Sequence, residues 1–83
     1  MKLEQAWILM GSLNDDANEQ SNDRWLAGSV AEAIRYQSDC ARKKFLDLEE
    51  TTRQEIIYWV RNDDEFLDYV ECILGEDFIK GLL

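Results

Sequence analysis

Ile56-Ile57-Tyr58-Trp59-Val60 is the stretch on which the fold turns. Five consecutive β-branched and aromatic residues are what a buried strand uses. A strand needs a partner, however, and no second run of this kind occurs in the chain. The flanking residues point to a helix instead. Thr52 with Glu55 matches a capping box, Asp47 with Glu50 has the same spacing, and Asn62 with Glu65 repeats the signature. A helix is therefore expected to start between residues 47 and 52 and to run to about Arg61. Its core-facing residues are Ile56 and Val60, with Tyr58 nearly opposite and Ile57 and Trp59 at the flanks. Such a helix, apolar almost all round, is central in its bundle or covered by a partner.

Periodicity extends the same reading in both directions. Downstream, Asp63, Asp64 and Glu65 crowd the first turn of another helix, where negative charge is favoured. Phe66, Tyr69, Val70 and Ile73 form its inner face, and Gly75 stands where a left-handed cap would close it near Leu74. The tail, Glu76–Leu83, is expected to add one helical turn that covers the core with Phe78, Ile79, Leu82 and Leu83.

Upstream, a first helix is expected from about Lys2 to Leu13, with Leu3, Ala6, Met10 and Leu13 on one stripe and Trp7 at its edge. Residues 14–23 are polar apart from Ala17 and read as a loop, with Ser21, Asn22 or Asp23 capping a second helix. That second helix should run from about Asp23 to Lys44, with Leu26, Val30, Ala33, Ile34, Gln37 and Ala41 on one face. Gly28 in its interior invites a packing reason, and the small residues Ala27, Gly28 and Ala31 would admit a close neighbour. The expected fold is thus all-α, one compact domain over residues 1–83 with about four helices. The core is expected to hold Leu3, Met10, Leu13, Leu26, Val30, Ile34, Ile56, Val60, Phe66, Val70 and Ile73.

Composition narrows the function classes. The 83 residues carry a formal charge of −9, with 46% apolar residues, no proline and no histidine. Without histidine, the usual neutral-pH proton shuttle and the commonest metal ligand are missing, and a Ser or Cys nucleophile lacks its usual base. No glycine-rich phosphate loop or nucleophile elbow is present. Asn14-x-Asp16-x-Asn18-x-Gln20 has the alternation of a calcium loop, but Glu19 and Trp25 stand where its glycine and final glutamate belong. Catalytic residues, metal ligands and cofactors are accordingly expected to be none, and the chain is read as no enzyme. Cys40 and Cys72 form no metal motif and are expected to be small, buried, reduced residues in a cytoplasmic protein. No segment approaches a membrane span, and the amino-terminal apolar run is too short for a signal peptide.

The charge is segregated. Residues 45–83 hold eleven acids against three bases, residues 23–44 three against five, and residues 1–22 four against one. Asp64, Asp68 and Glu71 lie opposite the apolar face of their helix at i, i+4, i+7 spacing, where neighbours repel. Beside a solubilising role, a row of carboxylates can imitate nucleic-acid phosphates and occupy a basic groove on a partner protein. Direct nucleic-acid binding is not expected of so acidic a chain, and a helix-turn-helix reading fails on the sign of its recognition helices. The functional expectation is a non-enzymatic, acidic protein-binding module. It would act as an inhibitor that occludes a basic, nucleic-acid-binding surface, with Asp63, Asp64, Glu65, Asp68 and Glu71 as charged contacts. Trp25, Tyr36 and Tyr58, off the core stripes, are expected as interface aromatics. The alternative is a structural or adaptor protein that forms a homodimer or joins a larger complex through the aromatics of the second and third helices.

Overall fold

A computed structural model of the chain describes the backbone of residues 1–27 and 30–83, with side chains for 1–21 and 30–83. Among the described residues five helices succeed one another: α1 (Leu3–Ala27), α2 (Val30–Leu46), α3 (Glu50–Asn62), α4 (Asp64–Leu74) and α5 (Glu76–Leu82). The described residues contain no strand, so Ile56–Val60 is helical as its flanks require. Ile56 and Val60 are buried, Tyr58 is exposed, and Ile57 and Trp59 are half-buried, which is the predicted rotation.

The largest departure from expectation is in the first 27 residues. Residues 14–23 are no loop; α1 runs through them as one helix of 25 residues. The reason is a narrow seam. Ala6, Met10, Leu13 and Ala17 repeat at alternating steps of four and three and are all buried, and Ser21 continues the row. The seam ends in small residues, Ala17 and Ser21, and α2 buries small residues too, Ala33 and Ala41, of which Ala41 belongs to the same core as the seam. The buried Ser21 hydroxyl donates to Asn18 O at 3.0 Å, so burying it leaves no orphan donor. Trp25, Leu26 and Ala27 consequently belong to the end of α1 and not to the second helix. Their side chains, like the expected packing role of Gly28, lie outside the described residues.

α1 and α2 form an antiparallel hairpin, tied midway by Gln37 Nε2 to Asn14 Oδ1 at 3.5 Å. At 1.5 Å per residue α1 is about 37 Å long, close to the 39 Å longest dimension of the molecule. The shorter helices α3–α5 pack as a layer across one end of it. Trp7 of α1 stacks on Tyr69 (4.5 Å between centroids, 26°) and meets Phe66 edge-on at 5.4 Å. A Cβ on Gly11 would stand 3.3 Å from the Tyr69 hydroxyl, so that approach needs a small residue. On α2, Phe45 meets Phe78 edge-on at 6.3 Å. A continuous core joins all five helices, with Phe45, Phe66, Met10, Ile56, Leu74 and Val70 its largest fully buried side chains.

The chain breaks are held by specific contacts. The α2 terminus is closed by Arg53 Nη1, which donates to Leu46 O and Leu48 O at 2.7 Å each. α3 starts after Glu49 with no side-chain cap, so neither Asp47 nor Thr52 serves the capping boxes their spacing suggested. Asp63 Oδ1 accepts from Phe66 N at 2.9 Å, which places the α4 cap one residue beyond Asn62. Gly75 has φ 92° and ψ 143°, a positive φ in extended rather than left-handed helical backbone, and it both ends α4 and begins α5. The tail is a full short helix; Ile79 is buried, Phe78 and Leu82 are half-buried, but Leu83 is exposed.

The expected core holds for Met10, Leu13, Ile56, Val60, Phe66, Val70 and Ile73, with Leu3 packed at its margin. Val30 and Ile34 are corrections, since each is 56% exposed. Their phase on α2 is right, but the α3–α5 layer ends before reaching them. Cys40 is half-buried and Cys72 exposed, because position 72 lies off the inner face of α4.

Candidate functional site

The acidic surface is built by α4. Its inner face buries Phe66, Val70, Ile73 and Leu74, with Tyr69 clamped by Trp7, and that packing fixes the helix rotation. Asp64, Asp68 and Glu71 then lie within an arc of about 60° on the opposite side. Their Cα positions climb the axis by about 6 Å and then about 4.5 Å. Asp64, Glu65 and Asp68 are exposed and Glu71 is half-buried. The ion pairs among the described residues are Met1–Glu55, Arg42–Asp39 and Lys80–Glu76, and none involves these four carboxylates. Asp64, Glu65 and Asp68 stand in water with no ion pair among the described residues, while Glu71 is half-buried and its charge acts on Lys80. Asp63 differs: its carboxylate is the α4 cap and is already committed to a backbone donor.

Of these carboxylates Glu71 acts on Lys80, whose main partner lies on its own helix. Its ammonium pairs with Glu76 at 2.9 Å. It is held above the ordinary lysine range first by that hydrogen bond, then by the charge of Glu76, with Asp77 and Glu71 adding to it. Such a surface can accept hydrogen bonds and charge from arginines and lysines. Among the described residues no group of three or more Cys, Asp or Glu side chains is placed to hold a metal ion.

Of the expected interface aromatics, Tyr36 lies on α2 and Tyr58 on α3, not on the helix that carries the acids. Tyr58 is 57% exposed on α3, edge-on to Trp59 at 5.0 Å. Trp59 is itself anchored, donating from Nε1 to Met1 O at 3.1 Å. Tyr36 is half-buried on α2 beside a polar groove of about 420 Å³, shared with Gln20, Asp39, Cys40, Lys43 and Lys44. The side chain of Trp25 lies outside the described residues.

Sequence reasoning missed Arg42. Beside Lys43 and Lys44 near the end of α2, where basic residues suit the carbonyl end of the helix dipole, it caps a different helix. Its Nε donates to Leu74 O at 2.6 Å and its guanidinium lies 5.5 Å from the Phe78 ring centroid. An Arg-Lys-Lys run cannot reveal this, because the partner carbonyl is 32 positions away.

No helix among the described residues is long and apolar enough to cross a membrane. No protein-family model, curated protein or solved structure matches this chain.

Proposed function

We infer that the protein is a non-enzymatic binding module whose acidic α4 surface occludes a basic, nucleic-acid-binding face of a partner protein, acting as an inhibitor by phosphate mimicry. The observation that carries the reading is the set Asp64, Glu65, Asp68 and Glu71, presented on a well-packed helix with no ion pair among the described residues. Like charges at i, i+4 each cost a helix a few tenths of a kcal/mol. A cationic counterpart would convert that repulsion into attraction and would be steered to the surface from a distance. Glu65 would widen the contact at its edge, while Asp63 contributes by holding α4 in place. The protein acts in this reading on another protein, not on nucleic acid directly.

The test is capture of partners from host lysate on the immobilised protein, at low and at high salt. Basic proteins should be retained at low salt and released at high salt. The triple variant Asp64→Lys, Asp68→Lys, Glu71→Lys should lose them, with the association rate falling most at low ionic strength. Partner binding that is unchanged in that variant refutes the acidic-surface mechanism.

A further inference from the structure

The apolar stripe of α2 outruns its cover. Ala41 and Phe45 are buried in the continuous core, whereas Ala33 is buried but lies outside that core. On the amino-terminal half of α2, Val30, Ala31 and Ile34 are exposed and Ser38 is half-buried. At 100° per residue these four fall within an arc of about 100°. That arc lies between the side facing α1, marked by Gln37 and Asn14, and the side facing α4 and α5, marked by Arg42 and Leu74. No charged residue falls on it, in a chain where 33% of residues are charged.

We propose that this stripe is a self-association face, on which a second copy of the chain packs hairpin to hairpin across a two-fold axis near Ile34. Three observations select a second copy. An uncharged stripe of β-branched and small side chains is complementary to itself, which a two-fold contact requires. Ala31 and Ser38 beside Val30 and Ile34 allow the close axial approach of packed helices. Third, residues 1–46 carry seven acids and six bases, while residues 47–83 carry eleven acids and three bases. Hairpin-to-hairpin docking therefore joins the two nearly neutral regions and leaves the two −8 layers on opposite sides. A basic protein, by contrast, is steered to the layer and away from this stripe. The stripe spans about 12 Å of helix, so the dimer belongs to the small, transient class of interfaces.

Sedimentation equilibrium from 10 µM to 1 mM tests this. The mass should climb from the 9.7 kDa of one chain toward twice that value. Added salt should tighten the association, since it screens repulsion between two chains of charge −9. Ile34→Glu should weaken it at least tenfold with an unchanged circular dichroism spectrum, while Ile8→Glu, at a position 67% exposed on α1, should not. Where Ile34→Glu fails to fold, Ile34→Cys in a Cys40→Ser, Cys72→Ser background decides: oxidation should give a disulfide-linked dimer. A monomer at 1 mM in both salts, undiminished association of Ile34→Glu, or no cross-linking through Ile34→Cys overturns the proposal. The outcome is separable from that of the acidic surface, because the Asp64, Asp68, Glu71 triple lysine variant should still self-associate.

Discussion

The two ends of α2 carry the same kind of apolar residue at the same helical spacing and meet opposite fates. At the carboxyl end, Ala41 and Phe45 lie under α4 and α5 and are essentially inaccessible. At the amino end, Val30 and Ile34 continue that stripe and remain more than half exposed. The difference is one of reach. α3 and α4, at 13 and 11 residues, are about 20 and 16 Å long against about 37 Å for α1, so the layer covers only the base of the hairpin. Periodicity fixes which way a side chain turns. Burial also needs a second element of sufficient length at that height.

The contrast predicts a steep gradient in mutational cost along the molecule. The largest effect belongs to Phe66, fully buried where Trp7 packs on it. Phe66→Ala should cost about 3–5 kcal/mol, by lost transfer energy plus the cavity left behind. A domain of this size holds only about 4–12 kcal/mol in total. Urea unfolding should show the midpoint collapsing toward zero denaturant. A midpoint within a few tenths molar of the parent would mean that the layer and hairpin are not one cooperative core.

Next comes the junction where Arg42 meets the α4–α5 turn. Gly75 has a φ that disfavours other residues, and a Cβ there would collide with the Arg42 guanidinium. Gly75→Ala should therefore cost about 1–3 kcal/mol. Arg42→Lys should cost about 1 kcal/mol, because a lysine keeps the charge but loses the fixed geometry of the Leu74 hydrogen bond and the stacking on Phe78. If Arg42→Lys is neutral while Gly75→Ala is costly, the strain at Gly75 alone governs the junction. Double-mutant analysis of the pair separates the two, since a steric clash relieved by a shorter side chain appears as coupling.

The Asp63 cap comes below these. Asp63→Ala should cost about 1 kcal/mol, and Asp63→Asn only a fraction of that, because the amide oxygen still accepts from Phe66 N. Equal losses in the two variants would show that the charge at the α4 amino end matters more than the acceptor.

The same physics decides how much of the molecule was legible in its sequence. The second half was readable nearly residue by residue: α3 and α4 have wide apolar faces, their ends lie at Asp63 and Gly75, and the acid row of α4 sits where the wheel places it. The Asn14–Asp23 segment was not, because its buried residues Ala17 and Ser21 are too few and too small to set a helical period apart from a polar loop until the packing helix is known. Asp63 supplied a cap expected from Asn62, which is the one-residue slip that overlapping Asn, Asp and Glu signals permit. The acid row was legible because it depends on a single helix. The exposure of Val30 and Ile34, the capping role of Arg42 and the separation of Tyr36 and Tyr58 from the acids were not. Each depends on where a distant element stops.

The smallest predicted effect on folding sharpens the comparison most. Ile34→Ala and Val30→Ala should each change the stability of the monomer by less than about 0.5 kcal/mol, in either direction. Burial of a full isoleucine side chain would instead make the change about 2–5 kcal/mol. The measurement must be made at low micromolar protein, below the range in which copies associate. At millimolar protein the parent should gain stability from self-association, and Ile34→Ala should gain less. A cost at the lower concentration comparable to that of a core residue would mean that part of the chain already covers the stripe. A difference that appears only on raising the concentration would mean that the cover is a second molecule.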